Sequence, residues 1–182
     1  MTLKSEQFFG SDLYLRPATA EDAAFLFALR NDPGTRENSF HHEEIIWEQH
    51  IDWLERLLQK PDRMQFILTD GSRSLGQVRV DLSRDHMAES DEPVAATVPA
   101  TQALAGDKDG SMSSDPQSDA LSAEISYSIA PDCRGMGLGS VAINLAQEKA
   151  VQSKIRQLTA QVLPENRASI RIFEKCGFTS CK

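Results

Sequence analysis

The chain has 182 residues, of which 40% are hydrophobic and 25% charged, and a formal charge of −8 at pH 7. At that length one domain with a sizeable core is expected, and the negative balance argues against a nucleic-acid or membrane-surface partner. Its three cysteines, Cys133, Cys176 and Cys181, form no Cys-x-x-Cys pair, so no disulfide framework is indicated and a reducing, cytoplasmic setting fits best.

The first ten residues carry one apolar pair, Phe8-Phe9, and predict neither a signal segment nor a membrane span. Leu13-Tyr14-Leu15-Arg16-Pro17 predicts a short strand ended by proline. Thr19 with Asp22 resembles a capping box. It opens a helix with Ala23, Leu26, Phe27 and Arg30 at helical spacing. Asn31-Asp32-Pro33-Gly34 is a stop signal, followed by a polar loop through Arg36, Phe40, His41 and His42. A second helix is expected over 44–60, with Ile46, His50, Trp53, Leu54, Leu57 and Leu58 on one broad face. Strands follow at 65–69 and 75–82, joined by the turn Asp70-Gly71. In the second of them Val78, Val80 and Leu82 share the core face, and Gln77, Arg79 and Asp81 share the other.

Residues 85–120 break this pattern. They hold eight acids, one base (Lys108) and no aromatic residue, so most of the chain's charge belongs to one segment. Such a composition buries too little apolar surface to offset its ordering entropy. It reads as a flexible acidic insertion between two strands of one domain spanning residues 1–182, with a lid or partner-binding loop as the functional alternative. Regular alternation resumes at 123–129. A glycine run precedes a helix over 138–154, with Leu138, Val141, Ala142, Leu145 and Ala146 inward and Gln147, Glu148 and Lys149 toward water. A strand over 158–162, a helix over 168–175 with Gly177 as its C′ residue and a short strand over 178–181 complete the order β-α-α-β-β-β-α-β-α-β.

The run Cys133-Arg134-Gly135-Met136-Gly137-Leu138-Gly139-Ser140 lies between a strand and a helix. Glycines at alternate positions leave backbone N–H groups bare where a helix start lacks partners and its dipole favours an anion. A P-loop needs lysine after the last glycine, and a dinucleotide fingerprint needs a different glycine spacing with an acid downstream. Neither fits. Arg134-Gly135-Met136-Gly137-Leu138-Gly139 does match the acyl-CoA signature Arg/Gln-x-x-Gly-x-Gly/Ala of the GNAT family of N-acetyltransferases. Asn166-Arg167-Ala168-Ser169, then Phe173-Glu174-Lys175-Cys176-Gly177-Phe178, matches that family's second motif, and Asn166 stands 27 residues beyond Gly139.

The chain therefore resembles the GNAT family over residues 12–84 and 120–182. The resemblance implies an α+β fold: a central, mostly antiparallel twisted sheet with helices on both faces and a splayed strand pair that admits acyl-CoA. It implies acetyl-CoA as cosubstrate, with no metal. Arg134, Gly135, Gly137, Leu138, Gly139 and Ser140 would cradle its pyrophosphate, the backbone of Ile129 would pair with the pantetheine arm, and Asn166 and Phe173 would contact that arm. Glu124, on the strand leading to the loop, would be the catalytic base, and its alternative is a solvent-facing strand glutamate. Where the family often carries a tyrosine acid this chain has Phe173. Tyr127 is the nearest substitute, but alternation puts it on the face opposite Glu124, so the proton source for the thiolate stays open. Family members also continue into a fuller last strand, which implies either a truncated edge or support from a second subunit, as in a homodimer.

Three stretches of the first half resemble the amino-sugar N-acetyltransferases of pseudaminic-acid-type pathways. They are Leu29-Arg30-Asn31-Asp32 with Arg36 and Ser39-Phe40-His41, then His50-Ile51-Asp52-Trp53-Leu54, then Gly76-Gln77-Val78-Arg79. By that resemblance the acceptor is the primary amine of a UDP-linked amino sugar. Arg30, Arg36 and Arg79 would meet its diphosphate, and Phe40, His41 and Trp53 would stack on base or sugar. The alternatives are a protein N-terminal or ribosomal-protein acetyltransferase and a non-catalytic acyl-CoA-binding domain.

Overall fold

The computed structural model of the protein describes residues 12–83, 98–103 and 121–180. Chain order is β1 (Tyr14–Pro17), a 3-10 turn (Ala20–Asp22), α1 (Ala23–Asn31), α2 (Pro33–Glu37), α3 (Trp47–Leu58), β2 (Arg63–Thr69) and β3 (Ser74–Ser83). Then follow β4 (Val98–Ala103), β5 (Leu121–Ile129), α4 (Leu138–Gln152), β6 (Ile155–Val162), α5 (Arg167–Lys175) and β7 (Thr179–Ser180).

The strands form one seven-stranded sheet in the order β1-β2-β3-β5-β6-β4-β7. Every neighbouring pair is antiparallel except β5–β6, which is parallel. That ladder is short. It joins Leu121–Glu124 to residues 155–159, whereas β5 stays paired with β3 as far as Ile129. Residues 125–129 thus turn one edge toward a gap, and this is the expected splay. It runs about 17 Å from Glu124 to Ile129 at a strand's rise.

Helices cover both faces. Under α4 and α5, Val78, Val80, Ile125, Ile143, Leu158 and Phe173 belong to the larger core, each at most 3% exposed. Under α1 and α3, Ile67 meets Leu26, Leu54 and Leu57 in a smaller one. The capping box forms as read. Thr19 N donates to Asp22 Oδ2 at 2.8 Å, and Arg16 grips the same carboxylate. Among the described residues no helix is long and apolar enough to cross a membrane.

Four local expectations need correction. Asn31-Asp32-Pro33-Gly34 ends α1 but also starts α2. Asp32 Oδ2 accepts from Thr35 N at 2.8 Å, and Pro33 occupies the first turn, where its missing N–H costs nothing. The helix expected from residue 44 begins at Trp47. Asn31 holds Ile45 by both backbone atoms, each at 2.9 Å, which keeps the chain extended there. Gln147 does not face water but donates to Cys176 O at 3.0 Å and to Gln102 Oε1. Finally, the acidic stretch supplies a strand. β4 lies along the outer edge of β6 from Val98↔Val162 to Ala103↔Gln157 and carries β7 on its far side. Its six residues show neither alternation nor an aromatic, and the unpaired edge of β6 is what recruits them. The remainder of that stretch lies outside the described residues.

Candidate active site

The glycine loop joins β5 to α4 through a 3-10 turn at Pro131–Cys133. Gly135 and Gly137 have φ of +78° and +80°, and a Cβ at either would meet nothing within 4 Å. Conformation, not crowding, demands glycine there, and the space outside the loop is open. Gly139 answers a different need. A Cβ on it would stand 3.0 Å from Ile172 Cδ1 and 3.1 Å from Tyr127 Cε2, so its bareness lets α4 lie against Tyr127 and α5. Leu138 sends its side chain into the core at 3% exposure and offers the loop only its backbone. Ser140 N donates to Gly137 O at 3.2 Å, which leaves its hydroxyl as the group it can offer a ligand. The helix start, two left-handed glycines and open space above them suit a pyrophosphate.

Arg134 is engaged differently from its expected role. Nε donates to Ile129 O at 3.1 Å, and Nη2 donates to Thr35 Oγ1 at 2.9 Å and to Asp32 Oδ2. Its guanidinium ties the loop to α2. Burial disfavours the Asp32 charge, yet Arg134 and the Thr35 groups outweigh it and hold the carboxyl below its ordinary range.

On the far side of the splay Asn166 caps α5, its Oδ1 accepting from Ser169 N at 3.0 Å. Phe173 is 3% exposed, its ring edge-on to Tyr127 at 5.7 Å and to Phe178 at 4.9 Å. Tyr127 follows strict alternation onto the α4–α5 face. Its hydroxyl lies 3.0 Å from Ser169 Oγ, and burial holds its proton more tightly than usual against that hydrogen bond. Cys133 and Cys176 are buried and their thiols pushed up mainly by burial, which disfavours the thiolate.

The other face of β3 and β5 carries a polar row. In register, Gln77 pairs with Ser128, Arg79 with Ser126 and Asp81 with Glu124. Gln65 Nε2 donates to Gln77 Oε1 at 2.6 Å. Glu124 sits at the apex of the splay, the last β5 residue paired with β6, and Gln161 Nε2 donates to its Oε2 at 3.2 Å. Burial, then the Asp81 charge opposite, raise the Glu124 carboxyl above its ordinary value, against the pull of Arg79 and Gln161. Arg79 Nε stands 3.0 Å from Asp81 Oδ2, and Arg63 Nε 3.9 Å from Oδ1.

Arg30 and Arg36 flank the α1–α2 corner. Arg30 Nη2 donates to His41 O at 3.0 Å, so His41 contributes its carbonyl while its residue stays exposed. Arg36 donates to His42 O at 3.4 Å and pairs with Glu44 at 3.1 Å. Among the described residues the buried Arg30 Nη1 and Arg36 Nε, like Arg79 Nε, have no hydrogen-bond partner, and burial together with Arg36 lowers the Arg30 proton affinity. Phe40 is half-buried in the same loop. Trp53 instead stacks on His50, with centroids 5.6 Å apart, inside an aromatic group with Phe27 and Trp47. An open cleft of about 470 Å³ between Phe25 and Leu29 of α1 and the turn Ala130–Asp132 holds none of the candidate residues.

Sequence reasoning thus missed Asp81, Gln161, Asp32, Thr35 and Ser169. Asp81 was legible as a member of the right face, but no local signal gives the register that sets it against Glu124.

Comparison with known proteins gives a consistent picture. Residues 12–179 match the family described as the acetyltransferase (GNAT) domain. No curated protein sequence matches the chain. Among solved structures, the spermidine N-acetyltransferase of Vibrio cholerae, in complex with CoA and spermine, superposes with a TM-score of 0.70 at 18% identity, over 95% of this chain and 84% of that one. The ribosomal-protein-alanine N-acetyltransferase of Brucella melitensis gives 0.65 at 21% identity, over 92% and 85%. An aminoglycoside acetyltransferase in complex with coenzyme A gives 0.65 at 17%, over 92% and 84%. At these identities the likeness is one of fold.

Proposed function

Because the chain belongs to the acetyltransferase (GNAT) domain family, we propose that it transfers acetyl from acetyl-CoA to the primary amine of a nucleotide-linked amino sugar, as one domain over residues 1–182. The donor side of this reading rests on the loop and the splay. Gly135, Gly137, Gly139, Leu138 and Ser140 take the pyrophosphate at the start of α4, with Arg134 behind them. The free edge of residues 125–129 receives the pantetheine arm as an added strand. The arm's thioester end then lies toward Glu124. Asn166 and Ser169 border the same gap from α5. Phe173 supports the site by packing against Tyr127.

Glu124 takes the ammonium proton. The freed amine attacks the thioester carbonyl, and N–H groups on the open edge of β5 stabilise the oxyanion. The observation that carries the acceptor is the pair Arg30 and Arg36, with two buried N–H groups that have no partner. Two adjacent guanidiniums in that state call for an anion, and a diphosphate supplies the matching bidentate oxygens. Phe40 and His41, in the loop that the two arginines hold, are set to meet base or sugar. Arg79, whose Nε also lacks a hydrogen-bond partner among the described residues, joins this site less directly, since its charge is already ion-paired with Asp81.

The test is a thiol-release assay with acetyl-CoA against UDP-linked 4-amino sugars, spermidine and peptides with free N-termini. Turnover confined to the UDP sugars, lost in Arg36→Met through a higher KM, is expected. Preference for spermidine would replace the acceptor with a polyamine, and preference for peptides with a protein N-terminus. Tight acetyl-CoA binding without turnover on any amine would leave a binding module.

A further inference from the structure

The established motifs say nothing about Asp81, yet it is the most constrained charge near the candidate base. It stands directly across the β3–β5 ladder from Glu124. Like charges in that position repel and are ordinarily avoided. Among the described residues its buried Oδ1 accepts no hydrogen bond; Arg79 Nε stands 3.0 Å from Oδ2 as an ion pair without hydrogen-bond geometry, and Arg63 Nε 3.9 Å from Oδ1. A carboxylate with one buried oxygen, ion-paired with a neighbour on its own strand and set against a second carboxylate is a costly arrangement for a fold to keep without use.

We propose that Asp81 is a positioning residue for Glu124: its negative charge, ion-paired with Arg79, favours uptake of the acceptor's proton by the Glu124 carboxylate. This rests on the reading of Glu124 as the base. The step balances simply. R–NH3+ and the carboxylate give R–NH2 and the carboxylic acid. The amine and acetyl-CoA then give the amide and CoA thiol, and Glu124 returns its proton to water. The charged or polar groups that face Glu124 are Asp81 and Arg79 from β3 and Gln161 from β6, and Arg63 from β2 stands on the other side of Asp81. Asp81 pushes toward the protonated form, Arg79 and Gln161 away from it, and the ion pair between Arg79 and Asp81 decides how much of each push reaches the base. A carboxylate ionised too easily would sit deprotonated and be a poor acceptor for an amine's proton. The opposed pair moves it toward the useful range.

The two flanking charges give a test of opposite sign. The probe is the Glu124 side-chain carboxyl itself, followed by carbon NMR against pH in the labelled full chain and assigned with Glu124→Gln. In Asp81→Asn the titration midpoint should fall, because a negative neighbour is lost and Arg79 and Arg63 are released toward Glu124. In Arg79→Gln it should rise, because a positive neighbour is lost. Shifts on the order of one pH unit are expected in each direction. In acetyl transfer the acid limb of kcat/KM should follow both midpoints, and Asp81→Glu should restore most of the wild-type limb. Midpoints that stay put, or move together, overturn the proposal, because damage to the fold would not separate the two variants by sign. A midpoint that moves while the acid limb does not also overturns it, since Glu124 would then not be the base. The NMR arm needs no acceptor, so a protein that acetylates none of the amines offered fails the functional reading while its midpoints still decide whether Asp81 and Arg79 act on Glu124 with opposite sign.

Discussion

The proposed donor end and the proposed acceptor end of this molecule are built on different principles. The donor end is made of backbone: a loop that bends left-handed at Gly135 and Gly137, the first turn of α4, and the unpaired edge of β5. The acceptor end is made of side chains carried in from α1, α2, β2, β3, β5 and β6, brought together across the sheet and the α1–α2 corner. A backbone site tolerates almost any side chain that permits its φ angles, so its signature is a spacing. A side-chain site depends on which residues face one another across a sheet, so its signature is a set of contacts. The Arg134 guanidinium joins the two ends, through Asp32 and Thr35 of α2 and the carbonyl of Ile129.

The largest effect should come from breaking the backbone site. Gly137→Trp forces a side chain onto a residue with φ of +80° and fills the open space above the loop. Acetyl-CoA affinity by calorimetry should fall by about 100-fold or more, with the fold intact by circular dichroism. Equal affinity would show that the loop is not the cradle. Glu124→Gln should leave that affinity unchanged and lower kcat/KM by about 100- to 1,000-fold. Since burial and Asp81 raise the Glu124 carboxyl, wild-type activity should fall as pH drops through that raised value, and the variant should lose this limb. An acid limb that survives the substitution would assign it to another group.

Smaller effects sharpen the boundary between the two ends. Arg36→Met should raise the acceptor KM by about tenfold and leave acetyl-CoA binding alone, because it removes one of the two guanidiniums at the α1–α2 corner that keep a buried N–H without a hydrogen-bond partner among the described residues. Asp32→Ala should act across the boundary. It frees Arg134 and loosens α2, so the acceptor KM should rise by about threefold while acetyl-CoA affinity holds or improves. A fall in both affinities would mean that the Arg134–Asp32 tether, rather than a free guanidinium, shapes the cradle.

What could be read from the sequence follows the same division. The glycine spacing, the capping box at Thr19 and the alternation of β3 and β5 are local, and each formed as read. The sequence assigned all three glycines to one purpose, but only the structure separates the two that need positive φ from Gly139, which needs a missing Cβ against Tyr127 and Ile172. Arg134 was legible as a motif residue and illegible as a tether, because Asp32 lies 102 residues away. β4 escaped for a related reason. Val98 to Ala103 have no amphipathic pattern, and their strand exists because β6 offers an edge. Trp53 lies on the apolar helix face, where core is the commoner role, while the resemblance offers it as a stacking partner for base or sugar; its stacking on His50, which in turn packs against Phe27 and Trp47, puts it with the core.

That aromatic group makes the smallest prediction and the one that tests the acceptor half as a folding unit. His50 is 2% exposed, and its Nε2 meets Ala23 O at 3.0 Å. Nε2 therefore carries the hydrogen, and the buried Nδ1, which has no partner, is the only place for a second proton. Burial lowers the proton affinity of the ring, against the favourable pull of the Ala23 carbonyl. A group whose folded pKa is depressed contributes stability that is full above its unfolded value and is lost as pH falls. Thermal unfolding of the wild type should accordingly lose stability below about pH 6.5, by at most about 1.4 kcal/mol per pH unit from this one proton. His50→Leu forfeits the bond to Ala23 and should melt lower at pH 8, yet its curve should be flatter between about pH 6.5 and 5, because nothing at that position titrates. Parallel curves for the two proteins would mean that α1 and α3 open to solvent before the ring protonates, and that the acceptor half is not the rigid platform its arginines require.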